Sequence, residues 1–237
     1  MLEERGLSTT VIGLVLPHLE KTKPPRALMV PFMLGRPLGE PNDVVFQKRV
    51  LLQALKLLEN EKGPVVLESF PDDNPSAIDR LNWQPTVALP KPNLPSNSKA
   101  WEELFRDELA LMLPAWERFK QRFGRTTVGL AGQGVEAWPG FVVAALDGAL
   151  PTVALHDSSA LATRFLVDDI KALYGEAVQA EGEPPSARQI DSWFWRDTLA
   201  GRLLLALRSS AMQSENNALK TVGARFFVPV PYLPVTV

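Results

Sequence analysis

The chain has 237 residues, a formal net charge of −2 and no cysteine. It therefore has no disulfide framework, thiol nucleophile, cysteine zinc finger or Cys-ligated iron–sulfur cluster. With two histidines, His18 and His156, it cannot build a three-histidine zinc site within one chain.

A hydrophobic fraction of 46% and a charged fraction of 22% are ordinary for a globular protein. No basic stripe points to nucleic acid. No apolar run approaches the roughly 18–20 residues that cross a bilayer. Leu2, Glu3, Glu4 and Arg5 do not resemble the start of a secretory signal, so a cytoplasmic protein is expected.

In chain order, Leu2 to Arg5 reads as the last turn of a helix with Gly6 as its C′ residue, and Ser8 to Val15 reads as a strand. Either the chain lacks, or has lost, an α/β unit that would precede this point, or a short helix opens it. Pro24 and Pro25 introduce a second short strand, Arg26 to Val30. The run Pro31 to Pro41 (PFMLGRPLGEP) is a loop, and Asn42 or Asp43 is a plausible N-cap.

Val44 to Asn60 is a strong helix. Its polar residues Arg49, Gln53, Lys56 and Asn60 form one narrow stripe, so most of its surface is expected to be covered. Gly63 and Pro64 stop it, and Pro64 to Phe70 is a third strand. Strand, loop, helix, strand is the βαβ pattern of a parallel sheet.

Residues 71–98 are a proline-rich excursion. Ser98 is expected to cap a helix over Lys99 to Phe123 that Pro114 kinks or divides, with Gly124 as C′. A second strand–loop–helix–strand unit is then expected. It comprises Thr126 to Leu130, the GLAGQG loop (Gly129 to Gly134), a helix from Val135 or Pro139 to Asp147, and Pro151 to Leu155. Helices are expected over Ser158 to Ala180, Ser186 to Ser209 and Glu215 to Gly223, followed by an extended arm, Arg225 to Val237. The expected fold is α/β, with a mostly parallel sheet flanked by helices and a helical C-terminal section. Residues 1–157 would form the α/β domain and residues 158–237 the helical section, packed on the first.

Three places could carry chemistry. In the loop Gly35 to Pro41, glycines permit close backbone approach, the next helix begins with free N–H groups, and Arg36 could pair with a carboxylate or phosphate. A proline-stiffened connector explains the same residues. Glu68, Asp72 and Asp73 follow one strand, and His156 and Asp157 follow another. Ligands of open α/β sheets bind at such strand ends, so Asp72, Asp73, His156 and Asp157 are candidate catalytic residues. Helix capping and solvated loop charge are the alternatives. GLAGQG has the spacing G-x-x-G-x-G, not that of the dinucleotide loop, so a tight turn is the simpler explanation. His18 is expected at the surface. Trp193 to Trp195 are expected in the core or at a subunit interface, and Asp168 and Asp169 in solvent or paired with a base.

Taken in order, GLSTTV (Gly6 to Val11), PPR (Pro24 to Arg26), LGRPLGEP (Leu34 to Pro41), Gln47 and the apolar helix that follows resemble one family. It is the selenoprotein B-like subunits of the glycine, betaine, sarcosine and D-proline reductases. The resemblance covers about the first 60 residues. It implies cleavage of a carbon–nitrogen bond in an amino-acid-like substrate by a selenocysteine or cysteine that lies upstream of the segment matching Gly6. This sequence holds neither there, so no catalytic residue is carried over. Either a partner supplies the thiol or selenol, or the scaffold serves another purpose. Only the family's PLG-P loop maps, onto Pro37, Leu38, Gly39 and Pro41. The expected partners are a small anionic or amino-acid-like ligand and a second copy or another subunit, with no nucleic acid, membrane, cofactor or metal. The alternatives are a non-catalytic homo-oligomeric interaction protein and a cysteine-free hydrolase or lyase.

Overall fold

The structure is a computed structural model that describes residues 2–60, 65–74, 79–92 and 94–233. The chain divides into two compact units, Met1–Asp79 and Arg80–Val237. The sequence-based division at 157/158 lies well inside the second.

The first unit is a small parallel sheet with its crossover helices. Its elements are β1 (Val11–Gly13), α1 (Leu16–Thr22), β2 (Arg26–Met29), α2 (Val44–Lys56) and β3 (Val66–Ser69). The strand order is β1-β2-β3, with Val11 opposite Ala27 and Arg26 opposite Val66. Ala27 and Leu28 of the central strand are fully buried. The core continues into Phe32, Phe46 and Phe70, whose ring centroids lie 5.4–5.8 Å apart in tilted and edge-on contacts. Helix α1 is absent from the sequence-based reading. It is seven residues long and buries only Leu19, so its periodicity is too brief to register.

Helix α2 ends in a 3-10 turn, Leu57–Glu59, and Gly63 and Pro64, its expected stop signals, lie outside the described residues. Its inward stripe is Phe46, Val50 and Ala54. Its outward apolar residues Val44, Val45, Leu51, Leu52 and Leu55 are 43–74% exposed, so it is not covered on most of its surface as expected.

The second unit is helical, with α3 (Ser98–Phe123), α4 (Trp138–Leu146), α5 (Ser159–Ala177), α6 (Ala187–Asp197), α7 (Leu199–Gln213) and α8 (Asn217–Val222). Its core joins Phe105 and Met112 of α3, Trp138 of α4, Leu166 and Leu173 of α5, and Leu203 and Leu207 of α7. The expected strands Thr126 to Leu130 and Pro151 to Leu155 do not form. Backbone amides of Thr127, Gly129, Leu130 and Ala131 bond to carboxylates of α5 and not to a neighbouring strand. The second βαβ unit is therefore a helix-buttressed loop, and the described strands all lie in the first unit.

Helix α3 runs unbroken through Pro114. Pro114 and Ala110, whose carbonyl loses its intrahelical partner, both lie on the exposed side, where that oxygen is open to solvent. Asn97, not Ser98, is its N-cap, accepting from Ala100 N at 2.9 Å. The single helix expected over Ser186 to Ser209 is two. Thr198 ends α6 and caps α7, donating to Phe194 O at 2.6 Å and accepting from Gly201 N at 2.9 Å. A Cβ on Gly201 would stand 2.2 Å from Phe194 O, so the junction requires glycine. Trp193, Phe194 and Trp195 are all buried, which settles them as core. The described part of the terminal arm packs on its own unit. Phe227 and Val228 are buried, and Tyr232 stacks on Trp195 at 5.8 Å. Residues 234–237 lie outside the described residues.

Candidate functional site

Three parallel strands place their following loops on one edge of the sheet. In the first unit that edge carries the loop after β2 and the segment Pro71 to Asn74 after β3. The loop is built from two successive turns, with Arg36 N donating to Met33 O and Gly39 N to Arg36 O, both at 3.0 Å. Gly35 and Gly39 sit at φ 87° and 89°, the left-handed region that favours glycine. At Gly39 a side chain is excluded twice over, because its Cβ would meet the Phe46 ring at 2.7 Å. Gln47 Nε2 donates to Glu40 O at 2.8 Å, and Asp43 caps α2 by accepting from Phe46 N at 3.0 Å. The amides at the start of α2 are thus served partly by the chain's own carboxylate and are not all free for a ligand, as the sequence suggested.

Within this frame Arg36 Nη1 lies 2.6 Å from Glu40 Oε2, and each side chain is 38% exposed. The Glu40 carboxylate also accepts from Asn74 Nδ2 at 3.3 Å, and Asn74 is buried. Asn74 therefore ties the two loops of the edge together, a role the sequence did not single out. Pro37 and Pro41 are exposed, and Leu38 packs against the core of the unit. Asp72 forms an ion pair with Arg49, whose guanidinium lies 5.7 Å from the Phe70 centroid and 5.8 Å from that of Phe46. Asp73 Oδ1 accepts from Asn74 N at 2.7 Å. Asp72 and Asp73 are both exposed.

His156 and Asp157 belong to the second unit. His156 Nε2 donates to Leu130 O at 2.7 Å and its ring stacks on Phe165 at 4.8 Å. Those contacts stitch the segment before α5 to the glycine loop. Asp157 is exposed, and Ser158 caps α5, accepting from Leu161 N at 3.2 Å. The exposed position of His18 agrees with its sequence reading. No family model, curated protein or solved structure matches the chain. Among the described residues no group of three or more His, Asp or Glu side chains converges as a metal site, and no helix is long and apolar enough to cross a membrane.

The sequence reading missed three buried carboxylates of the second unit. Asp169, expected in solvent or paired with a base, is fully buried and accepts from Gly129 N (3.0 Å), Leu130 N (3.0 Å) and Ala131 N (2.8 Å). Its neighbour Asp168 does pair with Lys171, at 2.8 Å. Glu176 accepts from Trp116 Nε1, Thr126 Oγ1, Thr127 N and Thr127 Oγ1 at 2.6–2.8 Å. Glu108 accepts from Leu199 N, Ala200 N and Tyr174 Oη at 2.8–2.9 Å. Burial pushes the Glu108 carboxyl above its usual range despite these donors. Burial and the Glu108 charge push the Tyr174 phenol well above its own. A signal was present. Asp169 and Glu176 fall on the apolar stripe of Leu166, Ile170, Leu173 and Ala177, and an acid on a buried stripe must be paired or hydrogen-bonded. The glycine loop accordingly spends its amides on Asp169 and makes no phosphate cradle of them.

Proposed function

We propose that the chain is a cytoplasmic, selenoprotein B-like reductase subunit or scaffold that binds a small anionic, amino-acid-like ligand at Gly35 to Pro41, with a partner polypeptide supplying the thiol or selenol. The observation that supports this most is Arg36. It stands on a loop held by turns, by Gln47 and by Asn74, at the sheet edge where α/β ligands bind. Its guanidinium is partly exposed and faces one carboxylate, Glu40, across an i,i+4 pair. Such partly exposed pairs contribute only about 0.2–1 kcal/mol. A ligand carboxylate that engages Arg36 bidentately can therefore take the place of Glu40 at little cost. The test is calorimetry of the whole chain against glycine, betaine, sarcosine and proline. At least one should bind, and Arg36→Ala should abolish that binding. No binding, or binding indifferent to Arg36, would refute the assignment.

A second reading, a non-catalytic homo-oligomeric interaction protein, is favoured by the outward face of α2, where Val44, Val45, Leu51, Leu52 and Leu55 are exposed together. Light scattering at high concentration separates the two, since a strict monomer removes the second. A hydrolase or lyase using Asp72, Asp73, His156 and Asp157 lacks comparable support, because Asp72 is engaged by Arg49 and His156 by Leu130 O.

A further inference from the structure

The second unit carries a groove of about 890 Å³ that the proposed function leaves unused. One wall is the extended segment 80–92, whose residues Trp83, Pro85, Val87 and Leu89 alternate inward with exposed neighbours. The other wall is α6 and the first turn of α7. The extended segment is not loosely laid there. Gln189 of α6 accepts from Arg80 N and donates to Arg80 O, both at 2.9 Å, while also completing the capping box with Ser186. Arg80 Nε donates to Pro184 O at 2.6 Å, and its guanidinium pairs with Glu183. Three prolines, Pro85, Pro90 and Pro92, stiffen the wall further. The groove is thus preformed, which lowers the ordering cost of binding.

Its chemistry is uneven. The partly exposed indole of Trp83 is fixed edge-on against buried Trp193, with centroids 6.5 Å apart and planes at 89°. The lining also carries Lys91, Arg196 and Arg202, with Asp197 its one carboxylate. Arg202 is held in place by donating to Arg196 O at 2.9 Å. Among the described residues none of these three cations makes an ion pair, whereas Arg80, Arg118 and Lys171 of the same unit do.

We propose that this groove binds a small aromatic anion, an aryl carboxylate or aryl phosphate, with its ring against Trp83 and its charge among Lys91, Arg196 and Arg202. The ring gains apolar burial and stacking, and the anion gains charge-assisted hydrogen bonds at a guanidinium. Neither half of such a ligand alone matches a groove lined by both an indole and an excess of cations.

The test uses the whole chain with benzoate and phenyl phosphate as probes, benzyl alcohol as the neutral ring and acetate as the ringless anion. Calorimetry should show saturable binding of benzoate or phenyl phosphate below about 10 mM, at least tenfold tighter than either control. Added salt should weaken it. Arg196→Ala and Lys91→Ala should each weaken it several-fold, and Trp83→Ala should reduce it as well. Arg196 and Lys91 are exposed, so the fold should survive both changes, which far-UV circular dichroism checks. A preference between the two probes assigns the anionic group. Equal affinity for benzyl alcohol, affinity unchanged in both cation variants, or no saturable binding would overturn the proposal.

Discussion

Asp169→Asn is the sharpest test of how the second unit holds its irregular segments. The substitution keeps the shape and removes the charge. In the native protein Oδ1 accepts from Gly129 and Leu130 and Oδ2 from Ala131, at 2.8–3.0 Å, around a side chain with no exposed surface. An asparagine keeps one accepting oxygen. Its NH₂ must then face a backbone N–H, leaving that donor buried and unpaired. Hydrogen bonds to a charged group contribute about 1.5–3 kcal/mol each, and an unsatisfied buried group costs a further 1–3. Because part of the network survives, the expected loss is roughly 2–4 kcal/mol. With a urea dependence of about 2 kcal/mol per molar, the midpoint should fall by roughly 1–2 M. The six tryptophans all lie between Trp83 and Trp195, so their emission follows the second unit without interference from the first. A midpoint shift below about 0.3 M at unchanged slope would refute the reasoning, since it would mean that the three amides find other acceptors at no cost.

Other perturbations are equally specific. Gly39→Ala adds a Cβ at φ 89° and 2.7 Å from the Phe46 ring, and should destabilise the first unit by about 1–3 kcal/mol. Faster hydrogen exchange at the Ala27 and Leu28 amides would report it, and unchanged exchange would contradict it. Gly201→Ala drives a methyl to 2.2 Å from Phe194 O, and should cost about 1–3 kcal/mol or more by forcing α6 and α7 apart, read by tryptophan emission in urea. Glu108 binds its proton more tightly folded than unfolded. Its contribution to stability is therefore fully present below its unfolded value, near 4.5, and is lost as pH rises through the raised folded value. The stability difference, wild type minus E108Q, should accordingly fall as pH is raised from about 4 towards 8, and a flat or rising difference would refute that sign.

The first unit was largely legible in the sequence because its signals are local. Short β-branched runs, prolines and one long apolar helix mark β1, β2, α2 and β3 near where they form. The errors share a physical origin in hydrogen bonds to side chains distant in sequence. Thr126 to Leu130 has strand composition, yet Glu176 and Asp169, about 40 to 50 positions later, claim its amides. Likewise, Thr198 divides a continuous helical pattern because its hydroxyl both closes one helix and opens the next. At the candidate site, the loop Gly35 to Pro41 and its glycine requirement were readable. The pairing of Arg36 with Glu40 and of Asp72 with Arg49 was not, since i,i+4 spacing outside a helix carries no prior and the second pair spans 23 positions.

The glycine loop Gly129 to Ala131 has one consequence for any attempt to give this chain an anion site there. Successive amides converging on one point are the usual makings of an anion receptor. Here the receptor is delivered with its guest already attached, because Asp169 reaches it from a rigid helix of the same unit. A tethered guest acts at an effective concentration of millimolar or more. Free phosphate or carboxylate must outcompete that at every encounter, and would enter only after the tether is cut back, as in Asp169→Gly. The glycines that look like an invitation to a nucleotide are instead the lock by which α5 holds the chain in place.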